Sequence, residues 1–499
     1  MLFLGIDSGT QSSKAVVLEV GTGKILATAQ EGYGMVPGLP PGHLEQAPAD
    51  WVRAVDAAVA SCCQQLGARR SEIRGIGVSG QQHGMVALDA MDEVVRPAKL
   101  WCDTSTGKQC EELAGAFAGA AGLIELAGNA IPPGFTAPKI LWLKQNEPEN
   151  FARTETVLLP HDYLNFWLSG EKRMEYGDAS GTGLLDIRKR EWCGELIRFI
   201  DPSVEGMLPE VGSSRAPHGE LRPDLAARWG LGAGVIVSAG GGDNMMGAIG
   251  TGNIAPGVIT ASLWTSGTLF GVAGAPVIDP KGEVAAFCDS TDQWMPLVCT
   301  MNVTVMSEQI REVFSWDIPT LERAVSAAAP GAGGLVFLPY LNGERTPNLP
   351  GGCGVLYGAR TGNLTAPNIA RAAVEGATLG LAYGLRRFKE LGVEPEEIRL
   401  TGGGSKSAVW RQMTADAFGV PVVGLATSEG AGLGAAIQAA FCYQKHAGAE
   451  VGYEELTTLC VDLDRQSRCE PDASNAALYQ DQLDKQLELT RTLARAGLL

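Results

Sequence analysis

The stretch Ala239-Gly240-Gly241-Gly242-Asp243-Asn244 follows the apolar run Val235-Ile236-Val237 and leads into Met245-Met246-Gly247-Ala248-Ile249-Gly250. It reads as a strand, a glycine turn, an acid and a helix. Glycines at a strand end let backbone approach a ligand closely, and an aspartate at a helix start sits beside the positive end of the helix dipole. Asp243 is therefore either a helix cap, since Asp is a preferred N-cap residue, or an acid held rigidly at the lip of a cleft. Taken alone, the stretch favours the cap.

Working outward, Leu2 to Ile6 predicts a strand, followed by the turn Asp7-Ser8-Gly9-Thr10 and strands at Ala15 to Leu18 and Ile25 to Thr28. Ala49 to Leu66 places Trp51, Val55 and Val59 at helical spacing. Ile73 to Val78 returns to strand before Ser79-Gly80-Gln81-Gln82-His83-Gly84. This alternation is α/β in character. Further on, Val258 to Leu263, Thr265-Ser266-Gly267-Thr268 and Leu269 to Val272 repeat the strand-turn-strand unit, with a turn resembling the first. Two such units predict a duplicated domain, divided near Gly247 to Gly257, with a cleft there and Asp243 on its first-domain lip.

Ile398 to Leu400 runs into Thr401-Gly402-Gly403-Gly404-Ser405, after which Ser407 to Phe418 predicts a helix capped by Ser405 or Ser407. Val422 to Leu425 precedes Glu429-Gly430-Ala431-Gly432-Leu433-Gly434, the entry to a small-residue helix. Tyr479 onward predicts an amphipathic, charged helix with a solvated face.

A chain of 499 residues exceeds one hydrophobic core. A formal net charge of -17 excludes broad binding of nucleic acid or anionic membrane, which needs clustered Lys and Arg. An anionic ligand must then be held locally by backbone amides, and 65 glycines make such turns available. The 11 cysteines form no C-x-x-C pair and read as reduced thiols. The opening residues lack a basic region and no apolar run approaches membrane-spanning length, so the expected location is the cytoplasm.

Asp7-Ser8-Gly9-Thr10 suits a phosphate-handling hairpin. Glycine permits the turn, Thr10 offers a hydroxyl and an amide, and Asp7 can hold Mg²⁺. Ordinary hairpins use the same residues, and it is the second copy at Thr265 to Thr268 that raises the functional reading. Gly402-Gly403-Gly404 and the Gly430 turn match neither the phosphate-loop nor the dinucleotide pattern. They are tight turns or places where a nucleotide meets backbone amides. His83, with Gln81 and Gln82, lies beyond a strand end in a loop able to hydrogen-bond a polyhydroxylated ligand. Trp101 and Asp103 either line that pocket or serve packing and turn roles. Neither a nucleophile triad nor a glycosidase acid pair stands out.

Together these residues resemble the FGGY family of carbohydrate kinases and, within it, the xylulokinases, from Gly5 to about Ala440. Gly134-Phe135-Thr136-Ala137-Pro138-Lys139-Ile140-Leu141-Trp142-Leu143 is similar to the family's first signature stretch. Gly354 to Gly358 through Ala370 to Gly376 is similar to the second, with Ala359 where a larger aliphatic is common. The resemblance implies an α/β fold of two ribonuclease-H-like domains of the actin, sugar kinase and heat-shock ATPase type around an interdomain cleft. Residues 1–250 would be the sugar-binding domain, 251–480 the ATP-binding domain and 481–499 a C-terminal helix.

The implied reaction is ATP-dependent phosphorylation of a ketopentose, D-xylulose to D-xylulose 5-phosphate, with Asp243 as general base. Gln82, His83, Trp101, Asp103, Asp243 and Asn244 would contact the sugar, and Asp7 with Asp243 would hold Mg²⁺. Thr10, Thr265, Gly267, Gly402, Gly403, Gly404 and Gly430 would hold the nucleotide. Gln82 stands where methionine is usual and Trp264 where glycine is usual. D-Ribulose, another pentulose or a polyol is the alternative substrate, and a non-catalytic sugar-binding paralogue or an ATP-dependent chaperone or filament protein the alternative class. The expected partners are small-molecule sugar and ATP, without nucleic acid or membrane, with a homodimer as the candidate assembly.

Overall fold

The computed structural model describes residues 1–427 and 429–499. In the first half, β1 (Leu2–Ser8) and β2 (Ser12–Glu19) form a hairpin, with β3 (Lys24–Gly32) at its outer edge. Helix α1 (Pro48–Leu66) leads to β4 (Ile73–Gly80), parallel to β1. Helix α2 (Thr136–Asn146) belongs to a long excursion before β5 (Pro217–Glu220) and β6 (Ile236–Ser238), and α3 (Asp243–Gly250) closes this half. The sheet runs β5-β6-β4-β1-β2-β3.

The second half contains β7 (Val258–Leu263), β8 (Gly267–Gly271), β9 (Ala285–Cys288) and β10 (Trp294–Thr300). Then come α4 (Ala366–Glu390), β11 (Glu397–Thr401), α5 (Ala408–Phe418), β12 (Val422–Leu425), α6 (Gly430–His446), β13 (Leu463–Cys469) and α7 (Ala473–Arg495). Its sheet runs β9-β10-β8-β7-β11-β12-β13. Apart from β9, the order repeats that of the first sheet: three antiparallel strands, two parallel additions, and an antiparallel edge. The duplication inferred from two strand-turn-strand units is therefore present throughout the topology.

The two turns themselves are not equivalent residue by residue. Asp7 and Ser8 end β1 and the turn starts at Gly9, whereas Trp264 to Ser266 form the second turn and Gly267 already opens β8 opposite Leu263. By register, the counterpart of Asp7, which lies beside Ser79 of β4, is Ser262, which lies beside Thr401 of β11.

β1 is buried on both faces, as a central strand requires. Leu2, Leu4 and Ile6 join Trp51, Val55 and Val59 of α1 in one core, while Phe3 faces the other way toward Leu433 and Ile437 of α6. A helix of the second half thus lies on the sheet of the first. Glycine makes the approach possible: a β-carbon on Gly5 would sit 1.9 Å from the Gly432 carbonyl oxygen, and one on Gly77 2.1 Å from that of Ala435. Where α3 meets α6, a β-carbon on Gly434 would lie 1.8 Å from the Met246 carbonyl oxygen.

The C-terminal helix begins earlier than Tyr479, at Ala473, where the Asp472 carboxylate caps the backbone amides of Ser474 and Asn475. It has more than a solvated face. Tyr479, Leu483 and Leu487 are part of the second core, and the Tyr479 hydroxyl donates to Glu375 Oε1 at 2.8 Å and accepts from Arg371 at 2.9 Å. Among the described residues, no helix is long and apolar enough to cross a membrane.

Candidate active site

In each sheet the three parallel strands end at the same edge, and in open α/β sheets ligands bind beyond such carboxyl ends. The two edges face one cleft of about 1090 Å³. Asp7 enters it from the end of β1, Gln82 and His83 from the loop after β4, and Asp243 and Asn244 from the start of α3. From the other side come Trp264 and Ser266 after β7, Gly402 and Gly403 after β11, and Gly430 with Ala431 at the start of α6.

Asp243 is the first residue of α3 and does not cap it, since the N-cap position is Gly242. Its Oδ1 accepts from the Asn244 amide at 2.8 Å and from Asn244 Nδ2 at 2.9 Å. Asn244 Nδ2 also donates to Gln82 Oε1 at 2.8 Å, and Thr268 Oγ1 donates to Asn244 Oδ1 at 3.3 Å. One oxygen of Asp243 is thereby fixed and the other is left toward the cleft. Burial, followed by the neighbouring carboxylates Asp7 and Asp178, pushes the Asp243 carboxyl up to about 7. Burial also raises Asp7, opposed by the 2.9 Å hydrogen bond from Ser79 Oγ to its Oδ1.

His83 has a left-handed backbone, φ 63°, unusual for a residue with a β-carbon. Its loop is secured from below. Lys139 and Thr136 of α2 donate to the His83 carbonyl oxygen at 2.6 and 3.1 Å. The ring stacks on Phe135, with centroids 4.6 Å apart, and Nδ1 lies 2.7 Å from the Gly181 carbonyl oxygen. Burial and then the Lys139 charge lower its proton affinity to about 3, so the ring is neutral. Nδ1–H then donates to Gly181, and Nε2 remains as an acceptor.

Trp101 lines the cleft, and its indole N–H donates to Thr10 Oγ1 at 3.0 Å. Thr10 lies behind it, bonded also to Gln81 and Gln46. Asp103 is fully buried away from the cleft lining. Lys99 Nζ donates to it at 3.0 Å and lies 3.2 Å from Glu45 and 3.3 Å from His43. His43, Glu45 and Asp103 form a cluster of metal-ligand type, and the Lys99 ammonium already lies against all three, with Arg96 also paired to Glu45.

In the second half, Gly402 has φ 92°, and a β-carbon there would sit 2.4 Å from the Leu263 carbonyl oxygen. Gly404 is buried behind it against Leu263 and Trp410. Thr265 is exposed at the hairpin tip with its carbonyl oxygen accepting from Val303, and Gly267 is buried within the ladder. Two residues were not singled out from sequence. Lys139 was detectable in principle, as a lone cation on a helix whose neighbours Ala137, Ile140, Leu141 and Leu143 are apolar. Arg345, which enters the cleft from the loop after Tyr340, carried no periodic signal.

Two duplicated sheets facing one cleft, with acids on one wall and glycine turns on the other, define a two-domain phosphotransferase acting on an alcohol. The same architecture is found in a solved xyloylose kinase from Brucella ovis, with a TM-score of 0.92, 32% identity and coverage of 99% of this chain and 100% of that one. The N-terminal domain model of the FGGY family of carbohydrate kinases matches residues 2–250, and the C-terminal domain model matches residues 293–443. The chain belongs to the FGGY family of carbohydrate kinases. It is 40% identical to a xylulose kinase of Haemophilus influenzae over 97% of this chain and 99% of that one, and 35% identical to one of Escherichia coli over 96% of each. Sugar kinases of this family use ATP.

Proposed function

We propose that the protein transfers the γ-phosphoryl group of ATP to the 5-hydroxyl of D-xylulose, with Asp243 as general base. The observation that carries this reading is the Asp243 carboxyl: one oxygen anchored, the other facing the cleft, and its proton affinity raised to about 7. The named activity of the full-length relatives supports the choice of sugar.

A sugar hydroxyl is weakly acidic and loses its proton as its bond to phosphorus forms. Because that transition state is loose, a carboxylate within hydrogen-bond reach suffices as base. Asn244 holds Oδ1, so Oδ2 takes the proton. His83 Nε2 accepts from a sugar hydroxyl, Gln82 and Asn244 offer further polar contacts, and Trp101 covers the apolar face of the carbon chain. Asp103 acts one step back, through Lys99, under the Trp101 loop. On the other wall Gly402, Gly403 and Gly430 bring backbone amides to the nucleotide, Gly404 keeps the turn close to β7, and Thr265 and Gly267 shape the hairpin opposite Thr10.

A divalent cation fits this site. The Asp7 carboxylate adds to burial in raising the proton affinity of Asp243, and each acid has one oxygen held, Asp7 Oδ1 by Ser79 Oγ and Asp243 Oδ1 by Asn244. Asp7 and Asp243 would hold Mg²⁺, which supplies charge neutralisation for the transferred group when bound. In this reading residues 1–250 carry the sugar and residues 251–480 the nucleotide. The unpaired state of all the cysteines supports a reducing, cytoplasmic setting.

The test is sugar-dependent ADP release with D-xylulose, D-ribulose, L-ribulose and pentitols. The expected outcome is the highest kcat/KM with D-xylulose. Hydrolysis of ATP at one rate regardless of sugar would point to the chaperone or filament class, and sugar binding without turnover to a silent paralogue.

A further inference from the structure

The cleft contains a cation that the reaction as described does not use. Arg345 lines it from the second half, yet its guanidinium lies against first-half residues, 5.7 Å from the centroid of the Trp101 ring. Its Nη2 is 3.8 Å from the position a β-carbon on Gly134 would take, beside the loop that bears Phe135. Its charge also contributes to suppressing protonation of His83. Among the described residues the guanidinium has no carboxylate partner, in a chain whose net charge is -17. A half-buried arginine in an acidic protein normally finds an acid, and one left open in a cleft has its donors available to a ligand.

The support beneath Arg345 is firm. The buried Glu344 carboxylate accepts from the Arg345 amide at 2.8 Å, the Met301 amide at 2.7 Å and Asn302 Nδ2 at 3.2 Å. Glu344 and Leu349 exchange backbone hydrogen bonds of 2.7 and 2.9 Å, and Thr346 Oγ1 donates to the Glu283 carbonyl oxygen at 3.1 Å. The loop is ordered before any ligand arrives, so little entropy is lost when the side chain engages one.

Resting on the kinase reading above, we propose that Arg345 is a specificity-determining residue that reads the carbonyl end of an open-chain ketose. The reacting hydroxyl belongs at Asp243, which lines the cleft at the start of α3 with Oδ1 held by Asn244. Arg345 enters from the opposite half and lies beside Trp101 and His83. A pentulose with its 5-hydroxyl at Asp243 then directs its C1–C2 end toward Arg345. The planar fork of donors suits the C2 carbonyl oxygen and the adjacent C1 hydroxyl oxygen. The corresponding alditol lacks that planar acceptor. The sugar is thereby held by both halves of the molecule at once.

The experiment compares wild type, Arg345→Ala and Arg345→Lys with D-xylulose as substrate and D-arabinitol as substrate or competitive inhibitor. Hydrogen bonds to a charged partner are worth roughly a ten- to hundredfold change in binding. Arg345→Ala is expected to raise the KM for D-xylulose by about that factor, with the KM for ATP unchanged and the preference for ketose over alditol reduced by a similar factor. Arg345→Lys, which keeps the charge and loses the fork, should fall between, and it also carries the test if the alanine variant does not fold. An unchanged D-xylulose KM in the variants, or an equal loss for ketose and alditol, overturns the inference. If wild type phosphorylates no pentulose, the kinase assignment falls with it; if wild type does and the variants match it, only the role of Arg345 falls.

Discussion

The loops beyond β4 and β11 occupy equivalent places in the two sheets, and so do the starts of α3 and α6, yet their contents differ. After β4 come Gln82 and His83, and α3 opens with Asp243; after β11 come Gly402, Gly403 and Gly404, and α6 opens with Gly430. Even the strand ends diverge, with Asp7 and Ser79 in one sheet facing Ser262 and Thr401 in the other. One frame has been furnished twice, once with side chains that accept protons and hydrogen bonds, once with bare backbone amides. The first suits a neutral polyol whose hydroxyl must be deprotonated, and the second a polyanion that needs close donors but no base.

This division of labour can be broken most sharply at Asp243. Asp243→Ala should lower kcat by about a thousandfold, within the range for loss of a general base, while ATP affinity measured by calorimetry stays near wild type. Near-normal turnover would mean the first wall is not the chemical one. The wild type adds a pH signature. With the Asp243 carboxyl raised to about 7, the base form is lost as pH falls through that value, so kcat/KM should drop about tenfold per unit below it. The sign for stability is opposite. The raised carboxyl favours the folded state at low pH, and that contribution disappears as pH rises through about 7.

A smaller effect is expected where the halves touch. Gly434→Ala forces a β-carbon toward the Met246 carbonyl oxygen, and backbone there cannot yield as a flexible side chain does. A loss of about 2–3 kcal/mol in denaturant unfolding is expected, despite the gain in helix propensity. The smallest change isolates the second wall. Gly402→Ala meets both a left-handed backbone and the Leu263 carbonyl oxygen, and should raise the KM for ATP about tenfold while leaving that for sugar alone. If it raised both alike, the two walls would not be separable.

Much of this frame was readable beforehand because it rests on local signals. Apolar runs ending in turns mark β1, β4, β6, β7, β11 and β12, and of the two candidate α5 caps, Ser405 and Ser407, it is Ser407 whose Oγ accepts from the Trp410 amide at 3.1 Å. The second hairpin does not align with the first by motif, because Ser-Gly-Thr recurs three residues out of register, matching Asp7 to Thr265 where the ladder matches it to Ser262. Sequence leaves Asp103 open between a pocket and a packing role, since its removal from the cleft depends on Lys99, Glu45 and His43 converging from separate segments. Arg345 was invisible for the same reason: its meaning lies in Trp101, distant in sequence.

The seating of α6 on the first sheet makes the two halves inseparable. Gly5, Gly77, Gly250 and Gly434 leave bare backbone where helix meets strand and helix meets helix, so the apolar side of β1 and β4 is covered by a helix drawn from the other half. A fragment ending near Gly250 would keep Asp7, His83 and Asp243 but lose the cover over Phe3, Leu18 and Ile236, and its most hydrophobic strands would meet water instead of a helix.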